Sequence, residues 1–526
     1  MISSAGEHRV RGRTPVSKKV FLTGATGNWG KVILREFRER SDRFDIVALV
    51  LPTPKDIEAI REFEDMDNLT VVFGDLTDYS TVAQCVEGAD YILHTGAVVS
   101  PLADDNPELT HRVNVGGARN IIRAVKAQPQ PDTVSVVMIG SIAETGDRNP
   151  PHHWGRIGDP IRVAQYDEYG QSKIIAEREL VDSGLPRWAW LRQTGIFHGG
   201  LLSIRDAIMT HTPLDGVMEW VSVDDAVRLL ANICEDDVPE EFWNRIYNIG
   251  GGEDWRLTNW ELQIALMGEL GVGDPRKWFE RNWFATKNFH GQWYTDSDIL
   301  EKLVPFRKDS FATALQREIR TASITTRLAG RVPAWLVKNY IMKPITLHPR
   351  GTMAWIKGND EDRINAYFGS RADWEAIGGW DTFWPPHPDR TPTYLDHGYD
   401  ETKPPATWSV EDLRGAANFR GGTLVAQTFI TGDTSTPLQW ACHEGHTFQG
   451  SPRLILTGGH WCPECVKTPA DYPRQAESNA FLRQLDGPRR RNGTVPITAP
   501  ATAAARTTPT ESSVGAVGVS VPAAIT

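Results

Sequence analysis

The short stretch Lys19-Val20-Phe21-Leu22-Thr23-Gly24-Ala25-Thr26-Gly27-Asn28-Trp29-Gly30 constrains the fold more than any other. An apolar run breaks into a turn with glycines at 24, 27 and 30, and an amphipathic segment follows at once. This reads as a strand, a tight turn and a helix start. The first glycine permits the turn, the second lets backbone approach a pyrophosphate, and the third lets the helix pack on the strand. The first amides of the helix then face an anion. Over 28–40, Val32, Ile33, Leu34 and Phe37 supply an apolar face, and Arg35, Glu36, Arg38, Glu39 and Arg40 fall on the solvent side.

The same alternation continues. Short apolar runs at Val20–Leu22, Ile46–Leu51, Thr70–Phe73, Tyr91–His94, Val134–Ile139 and Trp188–Leu191 are separated by helix-like segments. Buried strands alternating with helices predict an α/β fold, a Rossmann-type doubly wound parallel sheet covered on both faces. Residues 1–17 read as a flexible N-terminus, and 18–330 as this nucleotide-binding domain with a small substrate-binding part. Residues 331–406 are a Trp/Pro-rich connecting region, with helical pieces expected around 333–342 and 359–367. Residues 407–470 read as a compact small domain, and 471–526 as a mostly disordered tail rich in Ala, Thr, Pro, Ser and Val.

Lys+Arg 56 against Asp+Glu 67 leaves a net charge of -11 over 526 residues. That balance gives no general attraction to nucleic acid or anionic lipid. No apolar run reaches the roughly 18–20 residues of a membrane span, and the basic N-terminus is not followed by the apolar core of a secretory signal. With only five Cys, a disulfide framework is not expected. A cytoplasmic protein with a small-molecule substrate, and neither membrane nor nucleic acid as partner, is the expectation.

Further motifs follow in order: Gly74-Asp75-Leu76-Thr77-Asp78, His94-Thr95-Gly96-Ala97, Asn114-Val115-Gly116-Gly117, Gly140-Ser141-Ile142-Ala143-Glu144-Thr145-Gly146, and Tyr169-Gly170-Gln171-Ser172-Lys173. With the Gly24/Gly27/Gly30 spacing, these resemble the extended branch of the short-chain dehydrogenase/reductase family, the NAD-dependent epimerase/dehydratase type, over about residues 18–320. The resemblance implies a cofactor, NAD or NADP, held by Gly24, Thr26, Gly27, Asn28, Trp29, Gly30, Asp75, Leu76, Thr95, Gly96, Ala97 and Asn114. Tyr169 and Lys173 would touch it as well. It also implies Ser141, Tyr169 and Lys173 as catalytic residues, and pairing of two copies through helices beside the site.

Tyr and Lys four apart share one helical face. A free phenol has a pKa of about 10, and an adjacent ammonium lowers it. Ser141 can hold a substrate oxygen while Tyr169 gives it a proton or takes one away. The family's dehydratases place an acidic pair directly after the Ser/Thr position. Ile142 and Ala143 stand there instead, and Glu144 reads as a carboxylate of a surface loop. Gly195 stands where nucleotide-sugar epimerases of the family carry Asn. These departures favour net redox of an alcohol or ketone on a small or apolar substrate. Phe197, Trp220, Trp255 and Trp260 are candidates to line such a pocket, or simply core. An epimerase or dehydratase with tightly held NAD is the alternative, and a cofactor-sensing scaffold is a third reading. The second strand ends Val50-Leu51-Pro52, without an acidic residue for a ribose or an Arg for a 2′-phosphate, so NAD and NADP stay open.

Near the C-terminus, Cys442 and His446 precede a Cys462-Pro463-Glu464-Cys465 knuckle. Four such ligands with no spare position suit a structural tetrahedral zinc. The set resembles zinc-ribbon knuckles, with His443 and His460 as rival ligands. A metal would staple so small a domain, which could cover the active site or recruit a protein partner.

Overall fold

A computed structural model describes residues 17–203, 206–322 and 331–486. The N-terminal segment before 17 and the tail beyond 486 lie outside the described residues. The six anticipated apolar runs are strands β1 (Lys18–Thr23), β2 (Phe44–Val50), β3 (Leu69–Phe73), β4 (Tyr91–His94), β5 (Ser135–Ser141) and β6 (Trp188–Gln193), and a seventh, β7 (Arg245–Ile249), joins them. All are parallel, in the order β3-β2-β1-β4-β5-β6-β7. The order reverses between β1 and β4. A doubly wound sheet opens a crevice at the carboxyl ends of its strands at such a point.

The two faces of the sheet are read directly from alternation along the strands. Val20 and Leu22 of β1 point to one layer with Ile33, Leu34 and Phe37 of α1 (Asn28–Arg38). Phe21 points to the other. That second layer is filled from α2 (Tyr79–Val86), α3 (Gly116–Lys126) and α4 (Glu168–Val181), by residues such as Val82, Ile121 and Leu180. Helix α5 (Val223–Ile233) packs beside α1 through Leu229, Leu230 and Ile233. Two details differ from the sequence reading. Phe73 is half exposed, because β3 is the sheet's edge. Arg40 is drawn inward, where Glu36 and Glu235 share its guanidinium.

Two glycines shape the first turn. Gly24 has φ +75°. A Cβ on Gly30 would lie 2.0 Å from the carbonyl oxygen of Gly24, so only a hydrogen allows α1 to sit this close to β1.

Beyond the sheet, α6 (Asn259–Glu269) and a helical run over 334–346 wall a second cavity. The latter is close to the expected 333–342. The second expected piece is the helix Glu361–Phe368. The C-terminal part contains α7 (Val410–Phe419) and a three-stranded antiparallel sheet, β8 (Gly422–Leu424), β9 (Leu438–Cys442) and β10 (Thr447–Gly450). Leu413, Trp440, Phe448 and Ile455 form its core. Leu454, from the turn after β10, instead enters the core of the large sheet beside Leu180, Trp188 and Ile246. Residues 471–486 are ordered by their own apolar anchors: Tyr472 and Phe481, on two short helices, are buried.

Candidate active site and metal centre

The crevice at the carboxyl ends of the strands is a cleft of about 730 Å³. One wall is the glycine turn, Gly24 to Gly30, and the opposite one carries Ser141, Tyr169 and Lys173. Asp75, Leu76, Thr95, Gly96 and Ala97 line it as well. Asn114 does not. Its amide instead bonds both backbone groups of Val98 and the Ser172 hydroxyl, bracing a cleft-lining loop against α4.

Two observations test whether a dinucleotide suits this cleft. No side chain caps the N-terminus of α1, and its first turn holds no carboxylate, so its amides are free to meet an anion. At the other end, the buried Oε1 of Gln193, which lines the cleft, has no hydrogen-bond partner. A phosphate at the first place and a polar ring substituent at the second would satisfy these groups, so the residues present fit such a cofactor.

Asp56, on the helix Pro54–Ile60, returns to the glycine turn. It accepts hydrogen bonds from the hydroxyls of Thr26, at 2.6 Å, and of Thr53. Burial works against its charge, but these bonds outweigh it and hold the carboxyl below its ordinary range. It sits one helix later than the end of β2, where an acidic residue was sought.

Ser141 ends β5, and its hydroxyl accepts from the amide of Ala143 at 3.1 Å. Lys173 donates to the carbonyl oxygen of Ile139 at 2.7 Å, and its Nζ is 5.6 Å from the centre of the Tyr169 ring. Burial lowers the Lys173 pKa to about 8. Burial, and next the Glu144 carboxyl, raise the Tyr169 phenol above its ordinary value, against a smaller pull from the Ser141 hydroxyl. The lowered phenol pKa expected from the Tyr/Lys spacing is therefore not what this arrangement gives. Desolvation exceeds the pull of a cation already engaged with backbone.

Glu144 is not the surface carboxylate expected. It is fully buried, accepting from the amide of Ser141 at 2.6 Å and from the Trp190 indole at 3.3 Å. Beneath it lies Arg192 of β6, also fully buried, with Nε 3.4 Å from Glu144 Oε2. The main partner of Arg192 is Glu177 of α4, held by two bonds of 2.9 and 2.7 Å. His460 completes the group at 2.8 Å from Glu177. Arg192 supplies one full charge to two carboxyls. Burial and the neighbouring Glu177 raise Glu144 toward its neutral form. Glu177 is held ionised, because Arg192 and its other partners outweigh the cost of burial. Tyr169, Lys173 and Glu177 recur every four residues on one face of α4, and that periodicity is the sequence signal for Glu177. A lone Arg inside the apolar run of β6 is the signal for its partner.

The knuckle lies behind α4. The carbonyl oxygens of Trp461 and Gln449 accept from Arg178, and Asp182 accepts from the amide of Ser451. Cys442, His446, Cys462 and Cys465 bring one ligand atom each to within 4.8 Å of the others, a group that can hold a metal ion. Cys442 Sγ and Cys465 Sγ are 3.7 Å apart, and each of the three sulfurs is 3.5 Å from His446 Nδ1. His460 is committed to Glu177, and His443 is not in the group.

Of the aromatics proposed for a pocket, only Trp220 lines one. Phe197 and Trp255 are core beside Phe311, and Trp260 packs on Trp380 and Phe383.

Residues 20–184 match the NAD dependent epimerase/dehydratase family. The chain is 28% identical over 199 residues to mouse 3 beta-hydroxysteroid dehydrogenase type 7, covering 35% of this chain and 52% of that protein. It is 31% identical over 123 residues to the UDP-glucose 4-epimerase of Rickettsia bellii, covering 21% of this chain and 33% of the relative. The matches thus span about half or less of these relatives' lengths. Among solved structures, the dTDP-glucose 4,6-dehydratase of Bacillus anthracis in complex with NAD aligns with a TM-score of 0.46 at 16% identity. That alignment covers 62% of this chain and all of the other.

Removing the Glu177 carboxylate would take from Arg192 its two-bond partner and leave the Glu144 carboxyl, at 3.4 Å, as its acidic neighbour. Glu177→Ala is expected to cost about 3–5 kcal/mol of stability, measured by denaturant unfolding. A loss within about 0.5 kcal/mol, the range of a surface substitution, would contradict the role given to this network.

Proposed function

We propose that the chain is an NAD-dependent oxidoreductase that interconverts an alcohol and a ketone, with Tyr169 as the acid in carbonyl reduction. The observation that carries this reading is the convergence of Ser141, Tyr169 and Lys173 on the cleft that also holds the glycine turn and the uncapped amides of α1. A nicotinamide bound there supplies or accepts the hydride. Ser141 donates to the substrate oxygen and fixes its position. Tyr169, a phenol protonated at neutral pH and held so more firmly by burial, delivers the proton to that oxygen. Lys173 is a cation below about pH 8 and supports the phenolate left behind. Gln193 offers an unpaired polar atom that would meet a polar group of the ring.

Dehydration is disfavoured by the residues after Ser141. Ile142 and Ala143 bring no carboxylate, and Glu144 is spent on the Ser141 amide and Arg192. Asp56 beside Thr26 supports NAD over NADP, since a fixed negative charge at the turn repels a 2′-phosphate.

We further propose that Cys442, His446, Cys462 and Cys465 hold a structural zinc. Bond lengths of about 2.3 Å to sulfur and about 2.0–2.1 Å to nitrogen set S···S near ~3.8 Å and S···N near ~3.5 Å in a tetrahedron. The spacings of 3.7 and 3.5 Å support that ion. Its role is to hold the knuckle against α4.

Four outcomes test these statements. Tyr169→Phe is expected to lower carbonyl reduction by about 10²–10⁴-fold while NADH affinity, read by fluorescence, stays unchanged. In the parent enzyme the Lys173 pKa falls from 10.5 to about 8, so its charge is present below that pH and lost above it. The kcat/KM for reduction should accordingly hold level up to about pH 8 and fall beyond; a profile flat to pH 10 would contradict the assignment. NAD should bind about ten-fold or more tightly than NADP, and Asp56→Ala should narrow the gap; equal affinities in the parent protein would count against Asp56. Elemental analysis should find about one zinc per chain, absent from Cys462→Ser/Cys465→Ser, with chelation lowering the melting temperature. A metal-free protein of unchanged melting temperature would reject the centre.

A further inference from the structure

A second cavity, of about 760 Å³, opens from the cleft and shares Gly195, Met218 and His290 with it. Its size falls in the ~300–1,000 Å³ range of pockets that engulf a ligand. Leu262, Leu266 and Met267 of α6 form one side, and Val337, Ile341 and Met342 of the 334–346 helical run form the other. Among the described residues lining it there is no Lys, Arg, Asp or Glu; the polar groups are amides, one threonine hydroxyl, two Trp indoles and His290. A diphosphate buried there would have no counter-charge, at prohibitive cost. A large neutral skeleton fits, with its carbonyl directed through the shared opening to Tyr169.

The helical run that walls this cavity has an unusual outer face. Trp335 and Tyr340 are 59% and 71% exposed, and Val332, Ile341 and Leu347 are exposed too. Ile341 belongs to both surfaces, lining the cavity while remaining open to solvent. The charge here opposes that of the whole chain. Between Glu318 and Asp360 the sequence has no Asp or Glu, but four Arg and three Lys. Lys338 is paired with Glu280, and Arg350 with Asp105 and Asp206. Arg331 and Lys343 are exposed and show no ion pair among the described residues. Exposed Trp and Tyr with Lys and Arg around an apolar strip are the chemistry of a helix lying in a lipid headgroup layer. Among the described residues no helix is long and apolar enough to cross a membrane. The net charge of -11, averaged over 526 residues, conceals this local reversal.

We propose that the 334–346 run seats on an anionic lipid surface, and that the cavity behind it takes a bulky, uncharged alcohol or ketone from that surface. The surface stands on its own observations; the substrate class rests on the redox reading above. The surface is tested by co-sedimenting the full chain with phosphatidylcholine vesicles and with vesicles of equal phosphatidylcholine and phosphatidylglycerol. Preferential binding to the anionic vesicles, weakened about ten-fold or more in Trp335→Ser/Tyr340→Ser and by added salt, is expected. Failure to sediment with the anionic vesicles, or undiminished binding by the double variant, overturns it. Both side chains are exposed and neither lines the cavity, so the variant should keep its fold. The substrate class is tested by thermal shift with NADH present, comparing a neutral polycyclic ketone with UDP-glucose. A rise with the ketone alone is expected; a rise with UDP-glucose, or with neither, overturns it. Tyr169→Phe should retain vesicle binding and the ketone shift, so loss of turnover there leaves this proposal standing or falling by itself.

Discussion

One guanidinium organises the region behind the cleft. Arg192 sits fully buried on β6, reaching Glu177 on the helix that carries Tyr169 and Lys173, and Glu144 beneath Ser141. A charge placed so deep is tolerable only if its partners are fixed, so strand, helix and loop must keep one relative position. The three side chains assigned to the chemistry come from the same strand end and the same helix. Their alignment therefore depends on a group that never meets the substrate. His460 and the carbonyl oxygen of Gly458 bring the C-terminal knuckle into the same arrangement.

That arrangement gives the knuckle a place in the catalytic half. Leu454 fills the core of the large sheet, and Arg178 and Asp182 fasten the outer side of α4 to residues 449–461. The proposed zinc next to these contacts would stiffen the back of the helix while its front faces the cleft. The small module thus reads as a buttress for α4.

Much of this was legible in the sequence where local rules act alone. The glycine turn, the amphipathic α1, the alternation of strands and helices, and the Cys/His spacing are each decided by neighbours a few residues apart. Long-range contacts set what was not legible. Glu144 reads as a loop carboxylate until Trp190 and Arg192, some 46 and 48 residues later, close over it. The Tyr/Lys spacing predicts an acidified phenol, but burial, which no spacing reports, reverses the direction. Asp56 was missed because the turn into Pro54–Ile60 carries it back to Thr26. The strip of exposed aromatics was hidden differently: an acidic total averaged away a basic segment.

The contact between His460 and Glu177 spans 283 residues of chain. On a ribosome, the sheet and α4 emerge long before the knuckle that meets them, and domains tend to form in the order they are made. Until then, the ionised Glu177 and the apolar seat for Leu454 lack their covers. A chain halted before residue 454 would hold the whole glycine turn and the three side chains proposed for the chemistry, yet carry an unfinished core. Closure of the large sheet's core is thereby tied to the arrival of a segment made late, so that partial products of translation remain poorly closed.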